Sequence, residues 1–311
     1  MNGQPTVYIV LPLYNCEKYF LEQLMSIYYQ SYKNRFLIIV NDWSTDLSWE
    51  IAKNFVINYK LENKVKIITK ENWWVNSAMT RWLEEVKKLT NIYTDNILIS
   101  YCDQDDFWTR EKLSRQVEYM QDHPECDLSY HDVVGIDEND ILTSPSLHRK
   151  AYHDNSFFYL ATISPHMWST ELMFRPKYID SIIPMPAWFW MYQDYWTMLV
   201  ITLLESNVQF INEKLGYYRR GHFSLLVSDK TSSDEKIYKS QILYFTKLQE
   251  RFPDKDISYI ISYYQDRYRI RCEKKYPLWR LYIILFFKYP KIFFLWLRVI
   301  LYKIIRFWTL K

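Results

Sequence analysis

Three carboxylates lie within four residues in the sequence Asp103-Gln104-Asp105-Asp106. This acidic loop directly follows an apolar run at residues 97–100, which predicts a buried strand. Clustered carboxylates repel one another at neutral pH, and a bound cation commonly offsets that repulsion. Carboxylate oxygens suit Mg²⁺ or Mn²⁺, which bridges them to substrate phosphates. We therefore expect a divalent metal site here, with a solvated acidic turn or a helix N-cap as the alternative.

A further carboxylate, Asp194, lies in a strongly aromatic stretch that includes Trp190, Tyr195 and Trp196. A poorly hydrated setting raises the pKa of a carboxylate and makes it a better base near neutral pH. We therefore expect a raised pKa at Asp194. A helix N-cap is the alternative interpretation of the same residue.

The first half of the chain alternates strand-like and helix-like segments. Apolar β-rich runs predict strands at residues 7–11, 36–40, 65–69 and 96–101. Helical periodicity predicts helices at residues 17–30, 48–59, 76–89 and 110–121. This order predicts a mostly parallel sheet flanked by helices, which binds ligands beyond the carboxyl ends of its strands. Polar side chains follow all four strands, namely Tyr14-Asn15, Asn41-Asp42, Glu71-Asn72 and the acidic loop.

After residue 127 the pattern is mixed, with strands predicted at residues 128–134, 169–174 and 213–220. No domain boundary is evident before about residue 225. From residue 277 the chain is dominated by large apolar residues, but Lys288 and Pro290 interrupt it. No apolar run therefore approaches the roughly 20 residues that span a bilayer.

A helix beginning at Lys291 would carry a basic arc beside a wide apolar face. Its basic residues are Lys291, Arg298, Lys303 and Arg306. Such helices commonly lie in a membrane interface, although a helix packed on the rest of the protein is the alternative. We expect a peripheral protein on the cytoplasmic face of the inner membrane.

The net charge of +3 does not argue for a nucleic-acid partner. The four dispersed cysteines predict neither disulfides nor a zinc site.

Three motifs give the chain a resemblance to the family 2 glycosyltransferases. They are Pro12-Leu13-Tyr14-Asn15, Asn41-Asp42-Trp43-Ser44-Thr45-Asp46 and Asp103-Gln104-Asp105-Asp106. They resemble the P-x-Y-N, D-D-G-S-T-D and D-x-D-D motifs of that family, in the same order, across about residues 5–225. The acidic loop, followed by Trp108 and Glu111-Lys112-Leu113, looks most like the rhamnosyltransferase-type members.

The resemblance implies an α/β fold of the Rossmann-like GT-A type at residues 1–225, followed by a helical, aromatic and basic extension at residues 226–311. The nucleotide-binding half would be residues 1–125, and the acceptor half residues 126–225. The resemblance also implies a nucleotide-binding set that comprises Pro12, Tyr14, Asn15, Asp42, Asn72, Arg81 and Asp103. Asp42 would accept a hydrogen bond from the base. Arg81 would neutralise the diphosphate, unless it is an ordinary solvated helix arginine.

Asp105 is implied as the principal ligand of Mn²⁺ or Mg²⁺, with Asp103 in the same shell. His222 resembles the histidine of a Y-R-x-H loop near the metal, although one extra residue precedes it. The sequence Gln193-Asp194-Tyr195-Trp196 matches the acid before an aromatic pair that supplies the family's general base. His166 and Trp196 fall at acceptor positions.

The implied reaction is metal-dependent, inverting transfer of a hexosyl or rhamnosyl group from a UDP- or dTDP-sugar. The acceptor would be a hydroxyl of a glycan or lipid-linked saccharide in cell-surface polysaccharide biosynthesis. Asn41 replaces the family's first aspartate, so a non-catalytic nucleotide- or glycan-binding homologue is the alternative. A sugar-phosphate nucleotidyltransferase would need a glycine-rich loop after the first strand, and residues 12–18 contain no glycine.

The chain contains 4 glycines and 13 tryptophans, whereas typical usage would give roughly 22 glycines. Four tryptophans fall where the family usually has glycine, namely Trp43, Trp74, Trp82 and Trp168. Some bacterial lineages read the UGA codon as glycine and others read it as tryptophan. We hypothesise that these positions are glycine codons read as tryptophan, with a remodelled or inactive donor site as the alternative.

Overall fold

The computed structural model divides the chain into two compact units. The first is Met1–Arg149 with Met167–His222, and the second is Lys150–His166 with Phe223–Lys311. The residues that the structure describes are 3–69, 75–91, 96–148, 155–162, 168–186, 193–204, 206–219, 234–273, 283 and 286–309.

The first unit begins with four parallel strands, in the spatial order β3-β2-β1-β4. Their bounds are Thr6–Leu13 (β1), Arg35–Asn41 (β2), Val65–Thr69 (β3) and Ile97–Tyr101 (β4). Val10 lies opposite Ile38 of β2 on one side and Tyr101 of β4 on the other. Helices on both faces explain why β1 and β4 read as continuous apolar runs. The predicted parallel sheet is confirmed.

Four helices alternate with these strands, as predicted. Their bounds are Phe20–Tyr28 (α1), Ser48–Asn58 (α2), Val75–Leu89 (α3) and Lys112–Asp122 (α4). The apolar face of α1 is fully buried through Phe20, Leu24 and Ile27. Burying this stripe against the sheet stabilises a helix that is too short to form alone.

Beyond β4 the sheet continues through strands from the second half of the first unit. They are β5 (Phe107–Trp108), β6 (Leu128–Ile136), β7 (Leu142–Ser144), β8 (Met173–Phe174) and β9 (Val208–Arg219). β8 joins β4 to β6 by antiparallel pairing on both sides, and β6 pairs in parallel with β9. The strand predicted at 169–174 is therefore largely wrong. A 3-10 turn occupies Ser169–Glu171, and β8 follows it.

The second unit consists of helices within the described residues. They are α5 (Phe157–Thr162), α8 (Asp234–Arg251), α9 (Ser258–Arg271) and α10 (Pro290–Thr309). The two helices between them in sequence, α6 (Ile179–Ile182) and α7 (Gln193–Leu203), belong to the first unit. The Tyr264 hydroxyl of α9 donates to the Ala161 carbonyl of α5 at 2.6 Å. This packing places α5 with the C-terminal helices, whereas the sequence placed it in the acceptor half. Within the described part of the chain, we find no helix with the length and apolar character that crossing a membrane requires.

Candidate active site

The loops that follow β1 and β2 are tied together by Asn15. This residue adopts a left-handed backbone conformation with φ of 43°, which asparagine tolerates well. Its side-chain Oδ1 accepts the Thr45 N–H at 2.7 Å, and its own N–H donates to the Ser44 hydroxyl at 3.2 Å. Asn15 therefore organises the expected nucleotide loop.

The loops that follow β1 and β4 are joined by a reciprocal pair of hydrogen bonds. The Tyr14 N–H donates to Gln104 Oε1 at 2.7 Å, and Gln104 Nε2 donates to the Tyr14 carbonyl at 2.9 Å. Tyr14 itself is 55% exposed. The acidic loop and the first polar loop therefore share one edge of the sheet.

Asp42 and Pro12 lie at this same edge. The Asp42 N–H donates to the Leu13 carbonyl at 2.8 Å, and Pro12 lies opposite Val40 in the parallel pairing of β1 with β2. The structure thus brings Pro12, Tyr14, Asn15 and Asp42 together beside the acidic loop. Their roles in recognising a nucleotide stay predictions.

The pKa values of all three acids in the acidic loop are raised. Burial, together with the charges of Asp106 and Asp105, raises the pKa of Asp103 well above its usual value. Burial also raises the pKa of Asp105, and burial with the charge of Asp105 raises that of Asp106. Desolvated like charges at this spacing favour either protonation or a bound cation.

Arg219, at the end of β9, anchors the acidic loop, and the sequence did not single it out. Its Nε donates to the Asp105 carbonyl at 2.9 Å, and its backbone N–H donates to Asp106 Oδ1 at 3.0 Å. The buried guanidinium also pairs with Glu22 at 2.7 Å and with Asp140. All these partners are remote in sequence, so no local pattern could have identified the role.

Asp194 lies in the first turn of α7. Its Oδ2 accepts the Ser169 N–H at 3.1 Å, and its Oδ1 accepts the Tyr195 N–H at 2.6 Å. Burial raises the pKa of Asp194 to about 6 in spite of these hydrogen bonds. The expected rise in pKa is therefore present. The charge of Asp194 in turn contributes to the raised pKa of Asp103, which places the two carboxylates in one electrostatic cluster.

Two further residues join this cluster, and sequence reasoning missed both. Burial and the charges of the carboxylates Asp103, Asp105, Asp106 and Asp194 raise the pKa of the Tyr218 phenol. The Ser169 hydroxyl lies near both Asp103 and Asp194, and donating its single proton to either carboxylate lowers the pKa of that group. Ser169 thus connects the acidic loop to the expected base.

The remaining residues that the sequence predicted for the site lie in different parts of the chain. Trp196 is only 1% exposed, and its indole N–H donates to the Ile182 carbonyl at 2.7 Å. It therefore belongs to the core, and the predicted acceptor role does not agree with this placement. Arg81 is half-buried on α3. Asn72, His166 and His222 lie outside the described residues.

Asp103 and Asp105 fit a small divalent cation chemically. In the parts of the chain that the structure describes, no group of three or more His, Cys, Asp or Glu side chains forms a metal-binding set. Mg²⁺ commonly uses only one or two protein carboxylates and completes its shell with water and substrate phosphates. Two desolvated, mutually repelling carboxylates meet that requirement.

The tryptophans at expected glycine positions behave differently from one another. Trp43 has φ of 57°, a left-handed conformation that favours glycine. Trp82 is completely buried, and its indole N–H finds no hydrogen-bond partner among the described residues. Trp168 has φ of −108°, which any residue adopts. Trp74 lies outside the described residues. Among the described positions, only Trp43 has a backbone conformation that favours glycine, and the glycine hypothesis stays a prediction.

Residues 8–183 match the family model described as Glycosyl transferase family 2. One curated relative is the Escherichia coli enzyme UDP-Glc:alpha-D-GlcNAc-diphosphoundecaprenol beta-1,3-glucosyltransferase WfaP. It is 32% identical over 115 residues, which cover 37% of this chain and 41% of WfaP. The chain spans less than half the length of the first curated relatives that it matches.

Two solved structures share the architecture. TarS 1–349 of S. aureus in complex with UDP-GlcNAc superposes with a TM-score of 0.60 at 17% identity, covering 87% of this chain and 74% of TarS. The mannosyltransferase PcManGT of Pyrobaculum calidifontis, in complex with GDP-Man and Mn²⁺, gives a TM-score of 0.55 at 13% identity, covering 99% and 88%. At these identities the likeness concerns the fold alone.

Proposed function

Because the chain belongs to Glycosyl transferase family 2, we propose that it transfers a hexosyl or rhamnosyl group from a UDP- or dTDP-sugar to a hydroxyl of a glycan or lipid-linked acceptor. Its predicted GT-A fold is confirmed by the likeness to solved structures. The observation that carries the proposal is the electrostatic cluster of Asp103, Asp105 and Asp194 at the carboxyl edge of the sheet. Ligands of parallel sheets bind at that edge.

The donor is proposed to lie across the loops after β1 and β2. The half-exposed ring of Tyr14 offers a stacking surface for a pyrimidine, and the Asp42 carboxylate offers an acceptor for its N3–H. Asn15 holds the two loops in register through Thr45 and Ser44. WfaP is named for a UDP-Glc donor, and the TarS structure contains UDP-GlcNAc, which supports a nucleotide sugar as donor.

The diphosphate is proposed to lie against Asp103 and Asp105 through Mn²⁺ or Mg²⁺, since these carboxylates supply no positive charge of their own. When bound, the cation would neutralise the carboxylates and the charge on the departing nucleoside diphosphate. Arg219 fixes the backbone of Asp105, so that this carboxylate is held in place before the donor binds. Asn72, Arg81 and His222 stay candidates for further diphosphate or metal contacts.

Asp194 is proposed to act as the general base. Its carboxylate would take the proton from the attacking hydroxyl, while the new bond forms on the face of the sugar opposite the leaving diphosphate, with inversion. A pKa of about 6 leaves the carboxylate mostly ionised at pH 7 and still basic enough to accept a proton. His166 stays a candidate for contact with the acceptor.

A screen of sugar nucleotides for metal-dependent release of nucleoside diphosphate tests this proposal. We expect release from at least one UDP- or dTDP-sugar when acceptor is present, and loss of release in Asp105→Ala and Asp194→Asn. Glu118→Gln serves as a control, because the exposed Glu118 carboxylate pairs with Arg115 on α4 and lies outside the cluster. Equal release by wild type and Asp105→Ala would remove the metal assignment.

A non-catalytic nucleotide- or glycan-binding homologue is the second candidate. It is favoured by the Trp43 side chain, which is 51% exposed in the loop that should approach the base. Calorimetric binding of UDP without turnover of any sugar nucleotide, in both wild type and Trp43→Gly, would establish this candidate instead.

We also propose that α10 associates with the cytoplasmic face of the inner membrane. Residues 274–311 contain nine Lys or Arg residues and no Asp or Glu. Within the described residues of this segment, Phe287 and Phe294 are 76% and 57% exposed. Lys291, Phe294, Leu295 and Arg298 line a cleft of about 350 Å³. Basic side chains beside exposed aromatic rings suit an anionic lipid surface.

Co-sedimentation with vesicles tests this association. We expect the protein to bind vesicles that contain anionic phospholipid, and K291Q/R298Q to bind about thirtyfold more weakly, at roughly 1 kcal/mol per basic residue. The matched control is K239Q/K247Q on α8, which removes the same charge from exposed positions. Equal weakening by the two double variants would show a non-specific charge effect and contradict the proposal.

A further inference from the structure

His148 and Glu171 form a buried ionisable pair next to the turn that hydrogen-bonds to Asp194. His148 Nε2 is 2.7 Å from Glu171 Oε2, and the two side chains are 2% and 0% exposed. Burial lowers the pKa of His148 to about 4 and raises that of Glu171. Burying two such groups costs free energy that an apolar pair of similar size would not. The proposed transfer reaction uses neither of them.

The His148 end of this pair is fixed to β6. Asp132 Oδ1 accepts the N–H groups of His148 at 2.9 Å and Leu147 at 3.1 Å. The imidazole ring also packs against the rings of Tyr130 and Trp168, at centroid distances of 5.5 and 5.2 Å. The imidazole therefore presents Nε2 to Glu171 from a rigid base.

Glu171 in turn closes the 168–171 turn. Its Oε2 accepts the Trp168 N–H at 3.3 Å, and its own N–H donates to the Trp168 carbonyl at 3.0 Å. From the other side, Gln116 Nε2 donates to the Glu171 carbonyl at 2.9 Å. The conformation of this turn thus depends on the side chain of its last residue.

The same turn determines the direction of the Asp194 carboxylate. The Ser169 N–H, in the middle of the turn, donates to Asp194 Oδ2 at 3.1 Å. Gln193, the residue before Asp194, donates from Nε2 to the Ser169 hydroxyl at 2.8 Å. A rotation of the turn would therefore move both hydrogen bonds at once.

We infer that Glu171, held by His148, is a positioning residue that orients the Asp194 carboxylate through the 168–171 turn. This inference rests on the proposed function, because it assigns Asp194 the role of base. Glu171 itself is completely buried. Its hydrogen bonds reach Asp194 through the turn and Ser169, and its pKa is also raised by the charge of Asp194.

The test replaces the pair by apolar residues of similar size, in H148F/E171M, beside the single variant Glu171→Gln. The thermal midpoint is measured for each variant, because the apolar pair removes the desolvated ionisable groups but also removes the acceptor of the Trp168 N–H. We expect kcat to fall at least about tenfold, with KM for the sugar nucleotide within about twofold. The acid limb of the kcat profile should move up by about one pH unit, because the lost Ser169 hydrogen bond favoured the ionised base.

Other titratable groups face Asp194 and are left unchanged by these variants. They are Asp103 in the acidic loop, Tyr101 on β4 and Tyr218 on β9. Glu171 also faces Asp194, because the charge of Asp194 raises its pKa, and Glu171 is the group that the variants replace. Removing a nearby acid lowers the pKa of Asp194, so an upward shift of the limb reports the lost Ser169 hydrogen bond. Asp127→Asn is the matched control. The Asp127 carboxylate is buried, accepts the Asn207 N–H at 3.1 Å and pairs with Lys177 at 2.5 Å. Among the described residues, neither of these partners belongs to the turn. This variant should leave the acid limb in place, and an equal shift would overturn the inference.

A double-mutant cycle separates positioning from general damage. If Glu171 acts through Asp194, then Glu171→Gln should not slow Asp194→Asn any further. An additional loss equal to that in the wild-type background would overturn the inference.

A readout without turnover separates this inference from the proposed function. The ¹³C carboxyl resonance of Asp194, assigned by its loss in Asp194→Asn, should titrate at higher pH in H148F/E171M than in wild type. An unchanged midpoint would overturn the positioning role. Absence of transfer from every sugar nucleotide would instead overturn the proposed function, while the titration still reports on the turn.

Discussion

Replacing Trp43 by glycine should stabilise the fold relative to replacing it by alanine. Trp43 adopts φ of 57°, and the left-handed region costs an ordinary L-residue about 1–2 kcal/mol. Glycine avoids this cost but loses more conformational freedom on folding, which offsets about 0.4–1 kcal/mol. Trp43→Gly should therefore exceed Trp43→Ala in free energy of unfolding by about 0.5–1 kcal/mol.

Urea unfolding of the two variants, monitored by circular dichroism, measures this difference. Loss of the indole ring is common to both variants, so their comparison isolates the backbone term. The control is Trp49 in α2, where the helical backbone reverses the expectation. There, Trp49→Gly should be about 1 kcal/mol less stable than Trp49→Ala.

A lower stability of Trp43→Gly than of Trp43→Ala would refute the reasoning, because glycine would then offer no relief at this position. The gene provides an independent check of the glycine hypothesis. We expect UGA codons at Trp43, Trp74 and Trp82, and UGG at all three positions would eliminate the hypothesis.

Two other predictions concern the site. Because Asp194 must be ionised to act as base and has a pKa of about 6, kcat should fall about tenfold per pH unit below pH 6. A pH–rate profile checks this. Asp194→Asn should lower kcat about 10²- to 10⁴-fold and abolish the acid limb of the profile. An acid limb that persists in Asp194→Asn would have to be assigned to another group. Arg219→Met should lower the free energy of unfolding by about 2–3 kcal/mol in chemical denaturation, because it removes a buried guanidinium from two carboxylates and the Asp105 carbonyl. Arg115→Met, which breaks an exposed pair with Glu213, should cost less than about 1 kcal/mol; equal losses would contradict the anchoring role of Arg219.

The parallel half of the sheet was predictable because its signals are local. β1 to β4 are short apolar runs, and each is followed by a segment of helical period within about 30 residues. The predicted and observed bounds agree within a few residues for all four strands. Local signals also led to the acidic loop, since like charges at the end of a buried strand are unusual.

The second half of the first unit was less predictable because its pairing is long-range. β8 is only two residues long and exists because β4 and β6 flank it on both sides. The residues before it read as a strand by composition but form a turn instead. In that turn the side chain of Glu171 accepts the Trp168 N–H, which a strand partner would otherwise accept.

The sequence by itself determined the family, the order of strands and helices in the first half, and the identity of the acids at the sheet edge. These follow from residue type and short spacing, which persist whatever the rest of the chain does. The tertiary structure alone decided that Trp196 belongs to the core and that Arg219 holds the acidic loop. It also decided that Ser169 connects Asp103 to Asp194. These findings depend on contacts between residues that are far apart in sequence, from 14 positions for Trp196 and Ile182 to 197 for Arg219 and Glu22. Burial and hydrogen bonds between such residues exist only once the chain has folded.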